Sequence, residues 1–378
     1  MNAKLEQTTS VWMQSGEIPV NPALTADMKT DVCIIGAGIA GLTTADLLLK
    51  EGKSVVVLDD GPMGGGQTER TTAHLSNAID DRYTEIESWH GQDGAKLAAE
   101  SHTAAIDTIE AIVARERIDC DFERLDGFLF SPAETGPELL ENELHAARRA
   151  GLTDVELIQS SPIPSFDTGV CLRFPRQGQF HPRKYLAGLT KAIRGMGGKM
   201  FTQTRAEKVE CGPPGRVTTQ GKFTITATDV VVATNTPFND FVTMHTKQAP
   251  YMSYVLGFRV PRGTVPRALY WDTEDPYHYV RLQSLPVDKA AGEPSGESLM
   301  EALLIVGGED HKTGQANDSE ERYARLEAWT RERFPMAGTR CCQWSGQVLE
   351  TMDGLAYIGR NPLDGPNIFI VRAIPDRG

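Results

Sequence analysis

The 378-residue chain predicts an α/β protein, α+β overall, and three observations carry that reading. Residues 31–60 run as an apolar strand, a glycine-rich turn, a helical stretch and a second apolar strand, the order of a parallel βαβ unit. A short continuous apolar run, Val230 to Val232, is bounded by polar turns and reads as a buried parallel strand rejoining that unit. Strand-like pieces at 122–130 and 245–315 have the character of a different sheet, so the chain leaves the first unit and re-enters it.

After an N-terminal extension over residues 1–28, the glycine turn supplies the first chemistry. Gly36 permits the tight turn, Gly38 lets the backbone approach a pyrophosphate, and Gly41 lets the helix pack on the strand. The helix N-terminus at Ile39 and Ala40 offers N–H groups to the anion. Asp59, closing the second strand with Asp60 beside it, can accept both hydroxyls of an adenosine ribose. Strand, turn, helix and an acid about 20 residues on favour dinucleotide binding over a merely glycine-rich turn.

A second glycine-rich loop, GPMGGGQTERTTAHLS, spans 61–76. Residues 92–117 and 136–150 have the apolar spacing of amphipathic helices. His181-Pro182 opens a helix that closes at Gly197-Gly198, proline near the start and glycine at the end. Strand pieces at 199–210, 215–219 and 222–227 form a meander into residues 229–235. Residues 286–297, rich in Gly, Pro and Ser, read as a surface loop, and 320–334 as a polar helix stopped by Pro335. Residues 342–360 look like a return to the first unit.

Lys plus Arg is 38 against 51 for Asp plus Glu, a net charge of −13, which argues against nucleic-acid or anionic-membrane partners. No apolar run approaches the roughly 18 residues of a membrane span, and the first residues lack signal-peptide character, so the expected address is cytoplasmic. The six cysteines show neither CxxC nor His partners at metal-ligand spacing, and no metal or disulfide is assigned. Cys341 and Cys342 are adjacent, but neighbours on a strand point to opposite faces, which favours ordinary thiols over a redox pair.

GAGIAG at the start, GGGQTERTTAHLS, QFHPRKYLAGL, VVVATNTP and WSGQVLETMDGLAYIGR, in that order, resemble the flavin-dependent oxidoreductases of the D-amino-acid oxidase and glycine/sarcosine oxidase superfamily. The resemblance implies a Rossmann-like FAD-binding domain from segments 29–115, 176–240 and 341–378. It also implies a substrate domain, 116–175 and 241–340, inserted as a mainly antiparallel sheet over the flavin. FAD is the implied cofactor, held by the glycine turn and Asp59 with Arg70, Thr71, Thr72, Ala73 and His74 toward the far phosphate and flavin. Val209 would present its backbone to adenine, and Ala233 and Thr234 complete the implied set. His74 reads as a hydrogen-bonding residue, although a few relatives tether flavin through a histidine.

Members similar in these motifs often continue into a Rieske iron–sulfur domain, for which this chain has no C-x-H and C-x-x-H pair. The chain also stops short of the G-D-S-G segment and closing helix of such proteins. One added nucleotide in an assumed coding of residues 371–378 would restore Val-Thr-Gly-Asp-Ser-Gly-Pro-Gly. The alternative expectation is therefore a truncated or frameshifted product with weak FAD retention and no catalysis.

The chemistry implied is removal of hydride from a C–H beside an amine of a small amine or amino acid, passed to flavin N5, with oxygen or a redox protein as acceptor. Substrate-side candidates are Tyr251, Tyr277 and Arg281, the guanidinium being suited to a carboxylate. On a strand over 277–281, Tyr277, Tyr279 and Arg281 share one face and His278 takes the other. Lys247 is a weaker candidate near the flavin, and Asp310 with His311 a possible polar pair. A nicotinamide-dependent dehydrogenase is the third reading, disfavoured by the second glycine loop and the interrupted nucleotide unit.

Overall fold

The computed structural model describes residues 9–132, 136–236, 247–285, 301–361 and 365–372. β1 (Met28–Ile35), α1 (Ile39–Lys50) and β2 (Val55–Leu58) form the expected parallel unit, Val32 opposite Val55 and Ile35 opposite Leu58. Val32 to Ile35 and Val55 to Leu58 are buried without alternation, as a covered parallel sheet requires. Gly36 holds φ +105, and a Cβ there would overlap the Ala233 carbonyl. A Cβ on Gly41 would overlap the Gly36 carbonyl oxygen, so α1 can lie against its own turn only with glycine at that position.

The chain then crosses to a second sheet through β3 (His74–Leu75), α2 (Arg82–Glu116), β4 (Glu123–Phe130), α3 (Glu138–Arg149), β5 (Glu156–Ile158) and β6 (Cys171–Gln179). α2 begins earlier than the spacing predicts and breaks at Gly91, whose φ of 70 is non-helical. α4 (Pro182–Gly195) starts where proline places it, with the Lys184 N–H donating to His181 Nδ1 at 3.3 Å.

β7 (Lys199–Phe201), β8 (Ala206–Glu210), β9 (Gly215–Thr219) and β10 (Thr224–Asn235) return to the first sheet. β8, β9 and β10 are the expected meander, and β10 runs parallel to β1 as one unbroken strand. β11 (Gln248–Pro261), β12 (Leu269–Asp272), β13 (His278–Ser284) and β14 (Glu301–Lys312) extend the second sheet, and α5 (Ser319–Arg333) packs on its outer face. β15 (Arg340–Thr351) is also a strand of that sheet, antiparallel to β11; only β16 (Tyr357–Arg360) and β17 (Ile368–Arg372) rejoin the first. Residues 341–351 thus lie outside the nucleotide unit to which the sequence reading gave them, as does β3.

The eight-stranded sheet and the nine-stranded sheet share one apolar core that includes Ile34, Leu42, Leu189, Val255, Ile305 and Trp344. A separate core fills the space between the second sheet and α5, with Tyr254, Phe258, Leu304, Leu326 and Phe334. Among the described residues, no helix is long and apolar enough to cross a membrane. The predicted loop at 286–297 and the tail at 373–378 fall outside the described residues.

Cys341 and Cys342 do not follow strand alternation. Cys342 pairs with Gly257 while Arg340 pairs with Phe258, so Cys341 is the extra residue of a β-bulge. The two sulfurs consequently lie 4.0 Å apart.

Candidate active site

A cavity of about 1420 Å³ runs from the glycine turn to the inner face of the second sheet. That exceeds the roughly 300–1,000 Å³ of an ordinary small-ligand pocket and suits a dinucleotide with a substrate beside it. Gly36, Gly38, Ile39, Ala40, Asp59 and Asp60 line one end, and Ala233 and Thr234 close above them. Gly41 lines nothing; it sets the distance between helix and strand.

Asp59 bridges two loops, Oδ2 accepting the Ala37 N–H at 2.7 Å and Oδ1 the Gly61 N–H at 2.8 Å. Each oxygen keeps a lone pair for a ribose hydroxyl. Burial raises its pKa, against the pull of those two N–H groups. The Ile39 N–H donates to Thr68 Oγ1 at 3.1 Å, which ties the second glycine loop to the start of α1. Near the adenosine end, Arg205, Ala206 and Glu207 face the cavity and Val209 does not. Val209 is paired with Val217, and a register shift between Ala206 and Lys208 turns Glu207 out of the ladder instead.

Arg70, Thr71, Thr72, Ala73 and His74 line the middle of the cavity. Their conformation is held by two tryptophans distant in sequence. Trp12 of the N-terminal extension donates its indole N–H to the Thr71 carbonyl at 2.7 Å, and Trp344 donates to the Arg70 carbonyl at 2.8 Å. His74 is buried, with Nδ1 3.1 Å from Thr72 Oγ1 and no hydrogen-bond partner at Nε2. Burial, then the charge of Arg281, pushes its pKa down to about 3, so the imidazole is neutral. An unpaired buried nitrogen in the wall fits a ligand with a complementary hydrogen-bonding atom.

Arg281 is not available to a substrate carboxylate. It is fully buried, and Nη1 donates to the carbonyls of Thr72, Ala73 and Phe180 at 3.0, 2.9 and 3.2 Å. Burial lowers its pKa to about 9, leaving it protonated at neutral pH as a clamp on the backbone under His74. Tyr277 also misses the cavity, its hydroxyl donating to Asp310 Oδ2 at 3.1 Å. Tyr251, between Lys312 and Val348 at one end of β11, lines it no more than Tyr277 does. His311 stacks on Tyr254 with ring centres 5.8 Å apart, while Asp310 Oδ2 accepts from Tyr277. The Lys247 backbone carbonyl accepts from Met352 and Tyr357.

The second sheet instead contributes Ser253, Val255, Trp271, Tyr279, Gln347 and Val348. Tyr279 and Ser253 hydroxyls are 2.8 Å apart, and the His74 ring sits edge-on to Tyr279 at 5.6 Å. His278 points away, as strand parity requires, and stacks on Trp329 at 4.3 Å. Asp272, Glu274 and His278 bring metal-ligand-type atoms within 4.8 Å of one another. Burial opposes a charge on His278, but the hydrogen bond with Asp272 and the nearby carboxylates of Glu309 and Glu274 outweigh it and hold the pKa at about 9.

A glycine turn opening into a cavity roofed by a mainly antiparallel sheet has the form of a dinucleotide-cofactor site with room for a substrate beside it. The chain belongs to the DAO family of FAD dependent oxidoreductases, which matches residues 31–378. The Rieske 2Fe-2S iron–sulfur protein YhfW of Bacillus subtilis strain 168 is 29% identical over 366 residues, 97% of this chain and 69% of that protein. The gamma-glutamylputrescine oxidoreductase of Escherichia coli K12 is 29% identical over 224 residues, 58% of this chain and 52% of that protein. The glycine oxidase of Geobacillus kaustophilus has the same fold, with TM-score 0.73 at 18% identity over 93% of this chain and 90% of that one. FAD is therefore the cofactor, and the glycine turn, Asp59 and the 70–74 loop are cavity-lining residues whose donors and acceptors would suit it.

Proposed function

We propose that this FAD-dependent oxidoreductase oxidises the carbon–nitrogen bond of a small amine or amino acid, in the chamber between the 70–74 loop and the second sheet. The observation that carries the reading is the pairing of a neutral, unpartnered His74 Nε2 with the Tyr279–Ser253 hydroxyl pair in one apolar wall with Trp271 and Val255. Bound FAD supplies the acceptor for the hydride. The protein's part is orientation: the hydroxyl pair binds the substrate nitrogen, and Trp271 and Val255 exclude water from the adjacent C–H. Neutral His74 hydrogen-bonds without adding a cation beside a positively charged amine. The names of the relatives favour this substrate class, since one acts on gamma-glutamylputrescine and another on glycine. Anaerobic mixing with a panel of primary amines, secondary amines and amino acids tests the proposal. Loss of flavin colour with members of the panel is expected; reduction by a nicotinamide nucleotide and by none of the amines would overturn it.

A further inference from the structure

The bulge in β15 creates chemistry that two adjacent cysteines on a regular strand would lack. Cys341 is exposed and Cys342 half-buried, and their sulfurs, 4.0 Å apart, straddle a single residue of β11. Cys341 Sγ lies 3.5 Å from the Gly257 carbonyl oxygen, while Cys342 Sγ occupies the space that a Cβ on Gly257 would fill. We propose that Cys341 and Cys342 are a thiol–disulfide exchange site, with Cys341 the attacking thiolate and Cys342 the resolving thiol.

The co-reactant is a small external disulfide. The Cys341 thiolate attacks one of its sulfurs, forming a mixed disulfide and expelling one thiolate. Cys342 then loses its proton to solvent and attacks the Cys341 sulfur, releasing the second thiolate and closing a Cys341–Cys342 bond. The dithiol is oxidised by two electrons and the external disulfide reduced to two thiols. The surroundings suit these roles: the neighbouring Cys342, against the effect of burial and with help from the Arg259 charge, pulls the Cys341 thiol down to about 7, and the Cys342 thiol moves up. A low-pKa accessible thiol beside a resolving one is the pattern of reactive cysteines. Adjacent Cα atoms lie about 3.8 Å apart, short of the usual 4.4–6.8 Å for a disulfide, so the product is strained and easily reduced again.

The test treats the intact protein with glutathione disulfide, quenches with an alkylating agent, and maps thiols by peptide mass. Cys211, exposed at the turn after β8, is the comparison within the same chain. The expected result is Cys341 reacting roughly threefold faster than an ordinary exposed thiol. The peptide holding both cysteines should lose two hydrogens, carry no glutathione at the end, and recover both thiols on reduction. In Cys342→Ser the reaction should stop with glutathione on Cys341. Reaction of Cys341 no faster than Cys211 in the unmodified chain, or a mixed disulfide that persists with Cys342 present, would overturn the proposal.

Discussion

At the scale of single residues, the site divides into groups that face the cavity and groups that fix those facing it. Arg281 is of the second kind, because one guanidinium satisfies carbonyls of Thr72, Ala73 and Phe180 that burial has removed from water. Arg281→Ala should cost about 3 kcal/mol or more by orphaning buried acceptors, read as a lowered melting temperature and weaker FAD retention. The molecules that still hold FAD should keep an unchanged KM; a raised KM with unchanged stability would return Arg281 to the substrate. Tyr279→Phe removes one hydroxyl from the pair with Ser253 and should lower kcat by roughly fivefold, the worth of about 1 kcal/mol, with the melting temperature little changed. Strand parity put Tyr279 and Arg281 on one face and His278 on the other, and the structure agrees. What parity could not say is which member reaches the cavity. That depends on Gly307 opposite Tyr279 and on the carbonyls waiting for Arg281, neither of which is local in sequence.

At the scale of elements, β14 makes room for β13. A Cβ on Gly307 would overlap the Tyr279 ring, so Gly307→Ala should displace that ring at a strain of about 1–3 kcal/mol. Its kcat should fall further than that of Tyr279→Phe, while circular dichroism reports an intact fold; equal losses would mean the ring position is unimportant. Histidines on several elements set the pH range of stability. Burial holds His74 at about 3 and His181 at about 4, below the ordinary 6.5. The unfolded chain takes those protons first, so their contribution is complete above about pH 6.5 and is lost as pH falls toward 4 and 3. His278, held at about 9 among Asp272, Glu274 and Glu309, works in the opposite sense. Its contribution is complete below about pH 6.5 and is lost as pH rises through 9. The melting temperature should therefore peak near neutrality, and His278→Gln should flatten the alkaline limb alone.

At the scale of the molecule, what was legible was what is local. The glycine turn, its strands, the meander and the helix after His181 each carry their signal within a few residues, and all form where that signal lies. The sheet membership of β15 was not legible, because its apolar pattern is satisfied equally well beside β11 or in the nucleotide unit; pairing from Gln248 to Phe258 decides it. The same pairing makes the Cys341 bulge, and Trp12 reaches Thr71 across a separation no periodicity reports. Two sheets thus meet around one cavity whose glycine-turn end is written in a motif and whose second-sheet end is assembled at long range. The most direct measurement of that arrangement is the visible spectrum of the purified chain with flavin quantified against protein, beside Gly41→Ala. The account predicts about one FAD per chain, as one dinucleotide fingerprint supplies, and its loss when a Cβ forces α1 from the Gly36 carbonyl. A colourless chain that takes up no added FAD, or a Gly41→Ala variant that keeps it, would contradict the account.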